Sequence, residues 1–465
     1  MAAGGNGSLA CRAARTVKGG STDASPAEIA PIYKRLPHGP HRLARNEVIL
    51  HQRRRIHGAM VEAIAQSGYE RTSVKQVIGL AGVSRRSFYE LFANKEECFL
   101  ATFDLIAHRD IKRVTEAYVA ADGGLDERLL AAYGKFLERA REARKATRLV
   151  LVDAQTAGTA GALRLRGATA TCERLLAKSF LYSPQANPLP APIIRGITGG
   201  LHGAVARRLS HGLGEREGDL AEQMVRWTLL FQTPAAAAMA ERMTGRLTRR
   251  MREISLANSH RQPGEYDGGP GRDDRERLLD NALRLAAMHD YRELTAPQIA
   301  DEARVPIDAF LELFADKDNC FLAGLDMIGE ELLAIAADQD LVSGDWPLAV
   351  RRVVARLMAH LAERPLYART IAQEAFFAGA GAVERNLALA HGIATLLTEG
   401  APQQPRSEIA VDAIAGAFMH IVRCQVASGR IQMLAALSDY FAYIVLAPFI
   451  GADAAIEVLL LEPAR

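Results

Sequence analysis

The sequence lacks most features that mark secreted, metal-binding or membrane proteins. Its five cysteines lie far apart in 465 residues, with no CxxC pair and no Cys/His cluster at metal-ligand spacing, which argues against a disulfide framework or a zinc site. No run of 18 apolar residues occurs, and the N-terminus lacks an apolar stretch long enough for a secretory signal. We therefore expect a reduced, cytoplasmic protein, with no membrane partner and no bound metal.

Motifs for catalysis are also missing. No nucleophile motif, phosphate-binding glycine loop or paired-carboxylate pattern rises above the background. Hydrophobic residues make up 49% of the chain and charged residues 24%, which is an ordinary globular balance. The chain is therefore predicted not to be an enzyme and to carry no cofactor.

What the sequence does contain is a long internal repeat. Residues 69–101 and 291–323 align without a gap at an offset of 222, with 14 of 33 positions identical. The similarity continues near the end of each half, where "ITGGL" (197–201) parallels "IAGAF" (414–418). We interpret the chain as a tandem duplication of a module of roughly 200 residues.

Two segments rich in small and polar residues divide the chain. Residues 1–44 are predicted to form a disordered tail, and "NSHRQPGEYDGGPGRDD" (258–274) has the composition of a flexible linker. The expected domains are a first head at 45–97, a first helical core at 98–250, a linker at 251–271, a second head at 272–320, a second helical core at 321–452 and a C-terminal tail at 453–465.

Helix-start signals recur at matching places in both copies. Ser73 with Gln76 predicts the start of a second helix, Ser84 the start of a third, and Asn94 with Glu97 the start of a fourth. Both copies then continue as long helical segments without the alternation typical of strands. The protein is predicted to be all-α. Copy two repeats the layout with the caps Thr295, Gln298 and Asp316.

A helix, a short glycine-containing turn and a second helix form a helix-turn-helix, whose second helix fits the DNA major groove. The segment "TSVKQVIGLAGVSRRSFYELFANKEECF" (72–99) resembles the N-terminal DNA-binding domain of TetR-family transcriptional regulators. It departs from the family pattern at Arg86, usually Gly, and Leu91, usually His. The matching residues are Thr72, Ala81, Gly82, Val83, Ser84, Tyr89, Phe92, Lys95 and Glu96.

The resemblance implies two TetR-like modules, each with a three-helix head and a helical ligand-binding and dimerisation core. It is strong in the two heads and loose elsewhere between residues 45 and 450. In this family the last helices of the core pair two modules, so the halves are expected to pair as an intramolecular pseudo-dimer. It also implies an effector pocket between core helices, although no residue pattern identifies the effector.

The predicted recognition helix begins with two arginines. Arg85 and Arg86 lie in its first turn, where an arginine can form two hydrogen bonds to a guanine. Lys95 begins the fourth helix, where free N–H groups favour a phosphate. An upstream group, Arg42, Arg45 and Arg53 to Arg55, is interpreted either as a phosphate-contacting arm or as a solvated helix face. The candidate DNA-binding residues are Thr72, Ser73, Lys75, Ser84, Arg85, Arg86, Ser87, Tyr89 and Lys95.

Other reactive side chains are given structural roles. Cys98 and Cys320 occupy equivalent positions at the start of an apolar helix, where a buried small side chain is expected rather than a redox sensor. His202 and His211 have no Cys or carboxylate partner at ligand spacing and are interpreted as structural or surface histidines.

Charge separates the two copies. Residues 45–95 contain nine basic and four acidic residues, a net charge of +5, whereas 267–317 contain seven basic and twelve acidic residues, a net charge of −5. DNA repels the acidic head and attracts the basic one. The contact positions are also replaced in copy two: Lys75 by Pro297, Ser84 by Pro306, Arg85 by Ile307, Arg86 by Asp308 and Tyr89 by Leu311, while Lys95 persists as Lys317.

These patterns and the resemblance predict a sequence-specific, nucleoid-associated transcriptional regulator, a ligand-responsive repressor with a competent first head and a degenerate second head. The expected partners are a double-stranded DNA operator and an unidentified small-molecule effector, with two chains on a palindromic site. The alternative is a ligand-binding or protein-interaction module in which both heads are vestigial.

Overall fold

The structure is a computed structural model that describes residues 45–461 except 185, 212–217, 235–240, 242–243, 246, 250, 253–272 and 290. The predicted tail at 1–44 and most of the predicted linker at 251–271 lie outside the described residues, as does Arg42. Every regular element in the described part of the chain is helical, which confirms the all-α prediction.

Nine α-helices of the first half lie between residues 45 and 229, with one 3-10 turn at Asp153–Thr156 between the sixth and seventh. The helices are Arg45–Arg71 (α1), Val74–Ala81 (α2), Arg85–Leu91 (α3), Lys95–Ala120 (α4), Leu125–Glu142 (α5), Arg144–Leu151 (α6), Gly158–Tyr182 (α7), Ala191–His211 (α8) and Gly218–Leu229 (α9).

The second half repeats the head and ends in a strongly apolar core. A π-helical turn covers Thr370–Glu374 and a 3-10 segment covers Ile431–Leu437. The helices are Asp274–Met288 (α10), Ala296–Ala303 (α11), Ile307–Leu313 (α12), Lys317–Ala336 (α13), Asp340–Ser343 (α14), Trp346–Glu363 (α15), Pro365–Arg369 (α16), Ala375–Phe377 (α17), Ala380–Thr398 (α18), Ala410–Ala427 (α19), Ser438–Ile450 (α20) and Ala452–Leu460 (α21).

The predicted helix caps are present. Ser73 accepts a hydrogen bond from the Gln76 amide at 3.2 Å, and Asn94 accepts one from the Glu97 amide at 2.8 Å. In copy two, Thr295 forms the complete capping box with Gln298, and Asp316 caps α13. These local bonds fix the three-helix heads because they satisfy amides that the first helical turn leaves without a partner.

The second core continues beyond its predicted end. Residues 452–460 form α21, in which Ile456 and Leu459 are buried, so the prediction of a C-terminal tail from 453 is wrong for this stretch. Two segments, Ala410–Ala427 and Ile431–Ile450, are long and apolar enough to cross a membrane. Both are mostly buried inside the protein, which is where core helices of this composition lie.

The two halves meet mainly through α8 and α19, which cross at close range. The "ITGGL" and "IAGAF" segments make Gly199 equivalent to Gly416 and Gly203 equivalent to His420, at an offset of 217. A Cβ at Gly199 would lie 2.4 Å from the His420 Cβ, and one at Gly203 would lie 2.5 Å from the Gly416 Cα. Exchanging each residue for its equivalent in the other copy turns the first contact into the second. This reciprocity is typical of a two-fold interface between identical subunits.

The heads also touch each other through equivalent positions. Arg292 of copy two forms an ion pair with Glu70 of copy one, which is the residue aligned with it in the repeat. The Arg292 guanidinium also lies 5.8 Å from the centre of the Tyr69 ring and donates a hydrogen bond to the Thr156 carbonyl. The duplicated heads are therefore joined by a pair of opposite charges.

The two heads differ in how they join the rest of the molecule. Buried residues of the first head, such as Phe88 and Phe99, form a cluster of their own that extends only to α6, the 3-10 turn and α7. Buried residues of the second head, such as Phe310 and Phe321, belong to the large cluster that fills both helical cores. The second head is thus part of the main hydrophobic core.

Candidate DNA-binding interface

The first recognition helix, α3, is short and begins at a well-made cap. Ser84 accepts a hydrogen bond from the Ser87 amide at 3.0 Å, and the two hydroxyl oxygens lie 2.9 Å apart. Phe88 is fully buried against the head, which fixes the rotation of the helix about its axis. The opposite face of α3 therefore points to solvent.

That solvent face carries the two arginines and the tyrosine that the sequence analysis singled out. Arg85 is exposed, with its guanidinium carbon 5.7 Å from the centre of the Tyr89 ring. Arg86 is exposed and forms a 2.8 Å ion pair with Glu90 one turn away, and this hydrogen bond raises the pKa of the guanidinium. Both cations can reach a ligand placed against α3.

The remaining candidates divide between the surface and the interior. Ser73 and Lys75 are exposed at the start of α2, beside α3. Thr72 is 2% exposed and donates a hydrogen bond to the Gly68 carbonyl at 2.7 Å, so it stabilises the end of α1 instead of facing outward. Its predicted DNA contact has no support from this position.

The arginines upstream of α2 also include both buried and exposed side chains. Arg55 is 4% exposed and donates a hydrogen bond to the Gly82 carbonyl at 3.1 Å, where it helps to hold the turn between α2 and α3. Arg53 and Arg54 are exposed on the same helix. Arg45 begins α1.

Lys95 is bound inside the head. Its ammonium donates hydrogen bonds to the carbonyls of Tyr69 and Glu70 at 3.1 and 3.4 Å and lies 4.3 Å from the centre of the Tyr69 ring. Burial lowers the pKa of this ammonium. In copy two, Lys317 makes the same bonds to Tyr291 and Arg292. Of the candidate DNA-binding residues, only this lysine is identical in both heads, and its contacts are equivalent in the two.

Copy two keeps the shape of the interface without its chemistry. Pro306 replaces the capping serine and offers no side-chain bond to α12. Exposed Ile307, Asp308 and Leu311 stand where copy one has Arg85, Arg86 and Tyr89. The turn before α12 also contains Arg304 at φ 55°, where copy one has Gly82 at φ 58°. A side chain is strained in this left-handed region, which glycine adopts freely.

A cavity of about 750 Å³ lies in the first helical core, between α4, α5, α7 and α8. Its walls are mainly apolar, with Leu129, Phe136 and Leu176 among them. Thr198 places a buried hydroxyl there that has no hydrogen-bond partner among the described residues. The volume is within the usual range for a site that encloses a small organic molecule.

One long helix, α4, runs from the first head to the wall of the cavity. α4 contributes Phe99 and Phe103 to the core of the head and, further along, Ile111 and Tyr118 to the wall of the cavity. Its 26 residues span about 39 Å at the usual rise of an α-helix. The same helix therefore contributes side chains to both the head and the cavity.

His202, interpreted from sequence as structural, lines the cavity. One ring nitrogen, Nε2, lies 2.9 Å from the Leu151 carbonyl oxygen. Burial, with a smaller contribution from Arg423, lowers the pKa of this histidine to about 4, so the ring is neutral near pH 7. Cys98 and Cys320 are buried as expected, and burial raises the pKa of each thiol to about 12.

The structure also brings together three side chains that the sequence analysis missed. Glu173 of α7 lies 2.8 Å from His420 of α19, and Cys424 lies 3.6 Å from the same ring nitrogen. Burial lowers the pKa of His420, but hydrogen bonds to Cys424 and Glu173 outweigh it and raise the value to about 9. Burial raises the pKa of Cys424, but His420 outweighs it and lowers the value. The only sequence signal was the i, i+4 spacing of His420 and Cys424.

Comparison with known proteins gives a family for both heads. The family model "Bacterial regulatory proteins, tetR family" matches residues 58–102 and again 278–323, which are the heads of the two halves. No curated protein matches the sequence.

Two solved structures are similar over one module's length. The fatty acid degradation regulator FadR from Bacillus halodurans is 20% identical and covers 38% of this chain and 96% of its own, with a TM-score of 0.34. A TetR family transcription regulator from Marinobacter aquaeolei VT8 is 19% identical and covers 39% and 96%, with a TM-score of 0.33. The two heads of this chain, residues 58–102 and 278–323, are thus each similar to the N-terminal domain of the tetR family of bacterial regulatory proteins, which occurs twice in tandem.

Proposed function

We propose that the protein is a ligand-responsive transcriptional repressor whose first head binds its operator specifically and whose second head does not. The observation that carries this proposal is the difference in charge between the two recognition helices at equivalent positions. Arg85 and Arg86 face solvent on α3, whereas Ile307 and Asp308 occupy the same places on α12. Arginine binds base edges and phosphates, and an aspartate in its place repels the phosphate backbone.

The test is a pair of matched double substitutions in the full chain. Arg85→Ala with Arg86→Ala should weaken specific DNA binding by about 30-fold or more, because each arginine–guanine pair contributes about 1–3 kcal/mol. Ile307→Ala with Asp308→Ala changes the same positions of copy two and should leave affinity within about twofold. Affinity is measured by gel shift at several salt concentrations on fragments selected from random DNA.

Equal losses from the two double substitutions would contradict the assignment of one competent head. If the unmodified chain gave no salt-dependent shift on any selected fragment, both heads would be vestigial, and the chain would be a ligand-binding or protein-interaction module.

The arrangement proposed for the chain is a pseudo-dimer in which α8 and α19 replace the subunit interface of a two-chain regulator. The exchanged Gly199–His420 and Gly203–Gly416 contacts support it. Such a chain has one competent head and reads one half-site, which offers few phosphate contacts for tight binding. We therefore expect two chains on a palindromic operator, a stoichiometry that native mass spectrometry of the complex counts directly.

The effector site proposed is the cavity beside α4. A small apolar or amphipathic molecule bound there should raise the thermal midpoint of unfolding and change DNA affinity in parallel, because binding at the two sites is linked through α4. Ala168→Phe places a large ring in the cavity wall and should abolish both effects together. A compound that still stabilises this variant, or that shifts the midpoint without changing DNA affinity, would contradict the link.

A further inference from the structure

The junction between the two modules contains three side chains of the kinds that bind transition metals. Glu173 comes from α7 of the first half, and His420 and Cys424 come from α19 of the second half. His420 and Cys424 are four residues apart on one helix, so their side chains lie on the same face. One ligand atom from each residue lies within 4.8 Å of the others.

The spacing of these atoms fits a tetrahedral ion. The Cys424 sulfur and the His420 Nε2 are 3.6 Å apart. Zinc bonds of about 2.3 Å to sulfur and about 2.0–2.1 Å to nitrogen, at a tetrahedral angle, give a separation of about 3.6 Å. The Glu173 oxygen is 2.8 Å from the same nitrogen, and a side-chain adjustment of about half an ångström would place it at a ligand distance.

The surroundings hold the ligands in place. Arg195 lies 3.7 Å from the second carboxylate oxygen of Glu173, which leaves the first oxygen directed at His420. The Cβ of His420 packs closely against Gly199 of α8, and this contact restricts the direction of the ring. The site is mostly enclosed, with the His420 side chain 11% exposed and that of Glu173 17% exposed.

We propose that Glu173, His420 and Cys424 bind a thiophilic divalent transition metal ion, with Zn²⁺ as the best fit, and that the ion joins the two modules. A thiolate, an imidazole and a carboxylate are the three ligand types that zinc takes in proteins, and the two anionic ligands balance its charge. Three protein ligands leave a fourth position open to solvent. The proposal is independent of DNA binding, since it concerns only the junction.

Cobalt is the direct probe, because a Co²⁺–thiolate bond gives a charge-transfer absorption band. The full chain with Cys11→Ser, freed of metal with a chelator, should bind one equivalent of Co²⁺ with this band, and Zn²⁺ should remove it. Cys424→Ser should abolish the band and weaken Zn²⁺ binding by more than about 100-fold, beyond the loss caused by outer-sphere partners. Cys172→Ser is the matched control, since it removes the thiol beside Glu173 and should leave the band unchanged.

A second variant separates metal loss from misfolding. Glu173→Gln keeps a hydrogen-bond acceptor for His420 but removes the charge, so it should retain the helical circular dichroism and cooperative unfolding of the metal-free chain while binding Zn²⁺ at least about tenfold more weakly. Zn²⁺ should also raise the midpoint of the Cys11→Ser chain and not that of Cys424→Ser. Absence of the cobalt band, its persistence in Cys424→Ser, or its loss in Cys172→Ser would overturn the proposal.

Discussion

Each head carries one lysine whose ammonium is bound to main-chain carbonyls of the same head. Lys95 and Lys317 begin α4 and α13; Lys95 reaches back to the end of α1, and Lys317 reaches back to the turn that follows α10. The acidic second head has no expected use for a phosphate contact, yet it retains the lysine with the same bonds. The common role of the pair is therefore structural.

Lys95→Met and Lys317→Met should each lower the free energy of unfolding by about 1–2 kcal/mol, because a charged donor bound to a carbonyl is worth about that much. Methionine keeps most of the apolar stem, so packing is largely preserved. Urea unfolding followed by circular dichroism measures both variants. A loss confined to DNA binding in Lys95→Met, with no loss of stability in either variant, would restore the phosphate role.

Residue roles could be predicted from sequence where the interaction is local. The serine and asparagine caps lie within three residues of the amides that they bind, so their spacing is visible in the sequence. The burial of Thr72 depends on the path of α1 at Gly68, which spacing does not show. The Glu173–His420 pair joins residues 247 apart, and only the packing of α7 against α19 brings them together.

The turn between the second and third helices differs in strain between the copies. Gly82 adopts φ 58° before α3, and Arg304 adopts φ 55° at the equivalent position before α12. A non-glycine residue costs about 1–2 kcal/mol in this conformation. Copy two has therefore lost both the capping serine and the glycine of its turn while keeping the turn itself.

Arg304→Gly should raise the stability of the second head by about 1 kcal/mol, since it relieves the left-handed strain at a small cost in chain entropy. Gly82→Ala is the reciprocal change in the first head and should lower stability by a similar amount. Hydrogen exchange of the amides in α11 and α2 reports the two effects separately. A destabilising effect of Arg304→Gly would mean that the arginine side chain makes contacts that outweigh the strain.

The boundaries of helices could be predicted more accurately from the alignment of the two copies than from local composition. The aligned copies placed the short helices of both heads, because each copy supports the assignment of the other. The end of the second core was misplaced at 452, since Asp453 and Glu457 resemble a polar tail, whereas α21 turns these residues outward and buries Ile456 and Leu459.

The two heads contact each other through an ion pair near the molecular surface. Glu70 and Arg292 are about one-third to two-fifths exposed, so their ion pair is worth about 0.5–1 kcal/mol. Arg292→Glu places two carboxylates at the junction and should lower the thermal midpoint, as should Glu70→Arg. The double variant, Glu70→Arg with Arg292→Glu, restores opposite charges and should recover most of the lost thermal midpoint. Additive losses in the double variant would show that the pair is not coupled.

The first head has a hydrophobic core of its own, whereas the second head shares the main core, so the two heads are expected to differ in how easily they move. Displacing the second head would open the main core, whose exposure costs roughly 25 cal/mol for each Å² of apolar surface, so this head serves as a rigid reference. Displacing the first head disturbs its smaller interface with α6 and α7 and the half-exposed contacts of Arg292 with Glu70 and Tyr69. A duplication that had kept two equivalent heads would share any movement between them. We therefore expect any displacement in this chain to fall mainly on the head with the arginines, which would make its response one-sided.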